Sequence, residues 1–174
     1  VPAQNGGYVA LAGEGGHVTL AATDDDEAAL LSLLRQDFPH VSAERLLSGS
    51  GLVLLYQAVC RLQGVAALAL HPAQVSEAAL QQTNVQCQRA VHLFTGFLGS
   101  VAGNLALTLG ALGGVYVGGG IVPKLGHAFD EALFRRRFEA KGRYRDYLSE
   151  IPVWVITAQT PALLGASYAL DLGG

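Results

Sequence analysis

The sequence contains no methionine, two cysteines and one tryptophan, and only 14% of its residues are charged. Each scarcity excludes something. Cys60 and Cys87 belong to no Cys-x-x-Cys or Cys/His ligand spacing, which leaves a zinc site and a disulfide framework without support and predicts buried free thiols in a reducing cytosol. Eleven basic side chains against fourteen acidic ones give a formal charge of -3. No basic run is long enough to follow a phosphate backbone, so nucleic acid is not an expected partner. The chain opens without a charged n-region and an apolar h-region, so no secretory signal is expected. It also opens on Val1 rather than methionine, and the expectation is that these residues are part of something longer.

Hydrophobic residues reach 51%, and the 22 glycines are spread along the chain rather than gathered in a linker. A length of 174 residues suits one folded domain with a sizeable core. From Ala90 to Pro123 there is no Asp, Glu, Lys or Arg, long enough to cross a bilayer by length alone. Asn104, several Thr and Ser, and Gly113-Gly114 interrupt it. It is read as two buried elements and not a membrane span: a helix ending near Gly110, then the strand GVYV. Gly99 and Gly103, four apart, would let another helix approach closely.

Along the chain, Tyr8–Leu11 and His17–Ala21 read as strands split by a glycine cluster. Thr23 and the acidic run to Glu27 cap a helix that stops near Phe38-Pro39. A turn at Ser48–Gly51 precedes a helix from about Leu52 to Leu62, and a short helix begins at Ser76. After the strand Gly114–Val117, one helix runs from Leu125 to about Phe138. Its Arg135, Arg136 and Arg137 read as a solvated face. IPVWVIT is a further strand, and Pro161 to Leu170 a closing helix. Strands first paired, then alternating with helices, indicate an α/β fold with a mixed β-sheet flanked by helices.

Three places carry candidate chemistry. In GEGGH, Glu14 and His17 stand three apart on a pliable loop between strands. An acceptor-only carboxylate beside a ring that both donates and accepts suits a polyhydroxylated ligand; a plain glycine turn with an exposed Glu and a capping His is the other reading. Glu44 in SAER is either a surface residue paired with Arg45 or part of a site. In GGVYVGGGIVPK, a buried strand runs into Gly118, Gly119 and Gly120 at a helix start, which brings backbone N–H groups towards a nucleotide or phosphate, or simply allows close packing. It is neither a G-x-G-x-x-G nor a Walker A loop. A dinucleotide-dependent oxidoreductase would rest on this cluster alone and lacks the fingerprint spacing.

Taken in order, GEGGHV, HVSAERLLSGSGL, GNLALTLGALGGVYVGGGIVPK, F..KGRY..YL..IPV and PALLG resemble bacterial-type glucokinases, the hexokinase-like sugar kinases of the actin and ribonuclease H superfamily. The resemblance runs from about Leu11 to the end. It implies a ribonuclease H-like, actin-like ATPase domain, and transfer of the γ-phosphoryl of ATP to the 6-hydroxyl of glucose in the cytoplasm, with Mg²⁺ at the phosphates. It assigns Glu14, His17 and Glu44 to glucose, and Gly118, Gly119 and Gly120 to the adenosine motif. The cysteine-rich zinc motif of related sugar kinases is absent after His17, so zinc is not carried over.

The family's phosphate loops and its aspartate general base are also missing, and by resemblance would precede Val1, so no catalytic residue is assigned here. Residues 1–160 then correspond to the large C-terminal domain and residues 161–174 to a closing helix that would pack on a small N-terminal domain. This segment alone is expected to be inactive. A hexose-binding regulatory module of the related repressors is the alternative. A homodimer is expected by family analogy, with the Gly99/Gly103 helix or the Arg135–Arg137 face as its contact surface.

Overall fold

The structure, a computed structural model, describes residues 13–171. The expected strand Tyr8–Leu11 lies outside them. Helices dominate: α1 (Asp25–Asp37), α2 (Ala43–Leu46), α3 (Gly49–Gln63), α4 (Pro72–Leu80) and α5 (Val85–Leu109) come first. Strand β1 (Val115–Val117), α6 (Ile121–Leu125), α7 (Glu131–Glu139), α8 (Arg145–Ser149), β2 (Val153–Val155) and α9 (Pro161–Asp171) follow. The arrangement is α/β, and the described strands β1 and β2 pair in parallel with Val115 opposite Val153. Among the described residues the antiparallel component is one bridge between Thr19 and Ser42, where a strand over His17–Ala21 was expected.

Local chemistry explains where most elements begin. Asp24 caps α1 by accepting from the Glu27 N–H at 2.8 Å, and the acidic first turn complements the helix dipole. α3 begins at Gly49, earlier than expected, because Ser48 is its cap and accepts from the Gly51 N–H at 3.1 Å. α4 begins at Pro72 rather than Ser76. Pro72 sits where no intrahelical N–H is needed, and the Gln74 side chain accepts from the His71 N–H at 2.8 Å. The single helix expected over Leu125–Phe138 is two. Gly126 turns the chain with φ 49°, and Asp130 caps a new helix by accepting from Leu133 N–H at 2.8 Å.

Two cores meet along α5. The larger gathers Leu30, Leu34, Leu46, Leu55, Tyr56, Phe94 and Phe97 from α1 to α5, together with Leu125 of α6. The smaller joins Ala102 and Ala106 to Phe134, Phe138, Leu148 and Ile151 beneath β1 and β2. α5 is apolar and long enough to cross a membrane by length and composition, and two thirds of its apolar window is buried inside the protein. Cys60 and Cys87 are buried and free, as expected.

Gly99 and Gly103 do admit a close helix, and that helix is α7. A Cβ on Gly99 would meet the Phe134 carbonyl, and one on Gly103 the Phe138 carbonyl. This stretch of α5 is therefore occupied within the chain and is not a free dimer surface. The arginine run is likewise corrected. Arg135 donates to the carbonyls of Leu148, Ser149 and Ile151, each at 2.7 Å. Arg137 pairs with Glu27, which is 2% exposed, and lies 3.3 Å from Asp24. Only Arg136 points outward. Two cations of the run are spent on carbonyls at and beyond the end of α8 and on a carboxylate whose burial makes an opposite charge beside it worth having.

Candidate functional site

The segment after the glycine loop runs antiparallel to the segment before α2. Leu20 N–H donates to Val41 O and Ala43 N–H to Val18 O, both at 3.0 Å. Gly15–His17 forms a tight 3-10 turn in which His17 N–H donates to Glu14 O at 3.0 Å. Across from it, Ser42 caps α2 by accepting from the Arg45 N–H at 3.2 Å, which sets Glu44 in the first turn. These two short pieces bring positions 17 and 44 together. His17 Nε2 lies 3.3 Å from Glu44 Oε2, with the side chains 62% and 58% exposed and so open to a ligand. A Cβ on Gly16 would stand 3.0 Å from the same carboxylate oxygen, so glycine there leaves it room.

The pair borders a cavity of about 590 Å³ lined by apolar Phe38, Val53 and Leu54 and by polar His40, Ser48 and Ser50, among others. Small-molecule sites typically span roughly 300–1,000 Å³ and combine apolar walls with a few placed polar groups. Glu14 is exposed on the same loop but does not line this cavity. Arg45 is not Glu44's partner, since its guanidinium stacks over the Phe38 ring at 4.2 Å. His40, Ser48 and Ser50 were not singled out from the sequence as site residues. Ser48 and Ser50 read as turn residues, and His40 gave no signal beyond its place beside SAER.

The three glycines after β1 separate. Gly119 adopts φ 103° with open space where a side chain would project, and Gly118 faces Ile156. Gly120 alone lines a second cavity, about 520 Å³, with Leu52, His71, Ser76, Glu77 and Lys124 among its other walls. The first turn of α3 stands between the two cavities: Ser48 and Ser50 border one, Gly49 and Leu52 the other. Among the described residues there is no group of three or more His, Cys, Asp or Glu side chains able to hold a metal ion.

Comparison with known proteins gives matches in both sequence and fold. The family model described as Glucokinase matches residues 1–172. A glucokinase of Aromatoleum aromaticum is 58% identical over 165 residues, covering 95% of this chain and 50% of the relative. One of Chromobacterium violaceum is 52% identical over 165 residues, covering 95% and 47%. The chain thus spans about half the length of the curated relatives it matches. Among solved structures, a glucokinase from an Antarctic psychrotroph superimposes with a TM-score of 0.85 at 41% identity, over 92% of this chain and 50% of that one. A glucokinase of Balamuthia mandrillaris in complex with glucose gives 0.76 at 21% identity, over 89% and 45%, a likeness of fold.

Proposed function

Since the chain belongs to the glucokinase family, we propose that it supplies the hexose anchors and the adenosine-side wall of an enzyme that moves the γ-phosphoryl of ATP to the 6-hydroxyl of glucose. The observation that carries this reading is the approach of His17 and Glu44 to 3.3 Å at the mouth of the larger cavity. The carboxylates of Glu44 and Glu14 accept from sugar hydroxyls, His17 donates or accepts, and Phe38, Val53 and Leu54 offer apolar walls to the ring's C–H faces.

The nucleotide occupies the second cavity, with Gly118, Gly119 and Gly120 beside the adenosine moiety. Two cavities flanking one helical turn suit a reaction in which donor and acceptor must meet in line. The oxygen of the sugar's 6-hydroxyl forms a bond to the γ-phosphorus, the bond to the leaving oxygen breaks, and the hydroxyl proton passes to a base that the resemblance assigns upstream of Val1. Catalysis of this kind rests on positioning and charge stabilisation. Mg²⁺ would be held mainly by the nucleotide's phosphates. Among the described residues no group of three or more His, Cys, Asp or Glu side chains stands ready to bind it.

Residues 1–160 serve as the large domain, and the segment 161–174 packs on the remainder of the protein. In support, α9 leaves Leu163, Tyr168 and Leu170 at least 70% exposed, an apolar face that the other described residues do not cover. Two buried free cysteines suit a cytoplasmic location.

The test uses the full-length protein and glucose titrated against intrinsic fluorescence. Leaving a desolvated hydroxyl without its partner costs roughly 1–3 kcal/mol, so Glu44→Gln and Glu14→Ala should each weaken glucose about tenfold or more. An unchanged Michaelis constant for glucose in both variants sinks the assignment. These 174 residues alone should give no turnover in a coupled kinase assay.

A further inference from the structure

The His17–Glu44 approach has a support that the anchors themselves do not provide. His40 lines the same cavity, and its Nε2 donates to the backbone carbonyl of His17 at 2.9 Å, across 23 residues of sequence. A carbonyl only accepts, so Nε2 carries the proton whether the ring is neutral or charged. The bond falls just beyond the end of the paired segments, whose backbone bonds run from Val18–Ala43 to Leu20–Val41. Past that ladder, the backbone bonds of the Gly15–His17 turn among the described residues are local ones, from His17 N–H to Glu14 O and from Val18 N–H to Gly15 O at 3.4 Å. Its two glycines resist bending little. Among the described residues, the His40 bond is the one hydrogen bond between this turn's backbone and a side chain of the opposite segment.

We infer that His40 is a positioning residue for the hexose site, holding the glycine-rich turn so that the His17 ring stays aimed at the sugar beside Glu44. It acts through the His17 carbonyl, and the inference rests on the hexose reading above. A flexible turn samples many placements of its side chains, and only a fraction present the ring towards the ligand. Binding is weakened by that fraction while the bound complex, once formed, reacts as before. The effect therefore falls on glucose and not on ATP or on the chemical step.

The experiment compares His40→Ala, His40→Asn and His40→Gln in the full-length protein, with Glu44→Gln and Glu14→Ala as benchmarks. Glucose Kd by fluorescence, KM for glucose and ATP, kcat, and thermal midpoint are measured. The Gln amide nitrogen reaches about as far as Nε2, whereas the Asn amide stops short. From the net worth of one hydrogen bond, His40→Ala and His40→Asn should raise glucose Kd and KM by roughly three- to tenfold, with kcat and the KM for ATP within about twofold of the parent. His40→Gln should recover most of the loss, and none of the three should move the thermal midpoint appreciably. If glucose affinity is untouched in His40→Ala while the benchmarks lose theirs, the positioning role is wrong and the hexose site stands. It is equally wrong if His40→Gln is as weak as His40→Ala, or if kcat falls with KM unchanged. Silent benchmarks would instead bring down the hexose reading and this inference with it.

Discussion

Gly103→Ala adds one methyl group at the crossing of α5 and α7, and the structure fixes both the sign and the rough size of its effect. In an open helix interior, alanine is favoured over glycine by roughly 0.5–1 kcal/mol. At position 103 the new Cβ would stand well within van der Waals contact of the Phe138 carbonyl oxygen, 3.1 Å from that carbonyl's carbon and 3.1 Å from Lys141 Cε. Carbon atoms pack comfortably at about 3.5–4.0 Å, so α7 has to retreat by roughly half an ångström or more. It cannot do so freely. Arg137 is held by Glu27 and Asp24, and Arg135 by three carbonyls at the end of α8 and beyond.

Overpacking of this kind costs about 1–3 kcal/mol, which exceeds the gain in helix propensity. For a domain of this size, each kcal/mol moves the thermal midpoint by about 2–4 °C, so a fall of several degrees is expected by calorimetry or circular dichroism. Gly96→Ala in the same helix is the internal control. Its Cβ would meet nothing nearer than 3.6 Å, so it should hold or raise the midpoint by about 1–3 °C. Equal shifts for the two variants, or a stabilised Gly103→Ala, would refute the claim that close approach of α7 is what requires glycine there.

Other consequences are as direct. Arg137→Met leaves Glu27, 2% exposed, without its cation and should cost about 3–5 kcal/mol in denaturant unfolding. The double change Arg137→Met/Glu27→Leu should recover much of it, and a variant pair with identical losses would contradict the argument. Burial pushes the Cys87 thiol from 9.0 up to about 11. The unfolded chain then releases that proton first as pH rises, so stability present below about pH 9 is lost between roughly pH 9 and 11. In Cys87→Ala the alkaline slope should be shallower by that one proton, as pH-dependent melts would show; an unaltered slope counts against the assignment.

Much of the fold was legible along the chain because its signals are local. The acidic run from Asp24 and Pro161 mark helix starts, the apolar period of α5 runs to Gly110, and β1 and β2 stand out as short apolar runs between turn residues. The misreadings share a cause. Gly126 and Asp130 compete with a continuous helical pattern, and the outcome turns on a left-handed glycine and a cap that periodicity alone does not weigh. Arg135 and Arg137 look solvated because a charge run has no local sign of its buried partners; Glu27 lies 110 positions from Arg137.

The candidate site divides the same way. Which residue types stand in GEGGH and SAER, most of the places where the chain turns, and which faces are apolar are all readable along the chain, since these depend on neighbours a few positions apart. Distant packing settled that Glu44 meets His17 and not Arg45, that Gly120 and not its neighbouring glycines lines the second cavity, that α7 fills the groove over Gly99 and Gly103, and that His40 bonds to the turn. Those outcomes depend on which distant segments pack together, and packing is settled by the shape and burial of the whole core rather than by any stretch of it.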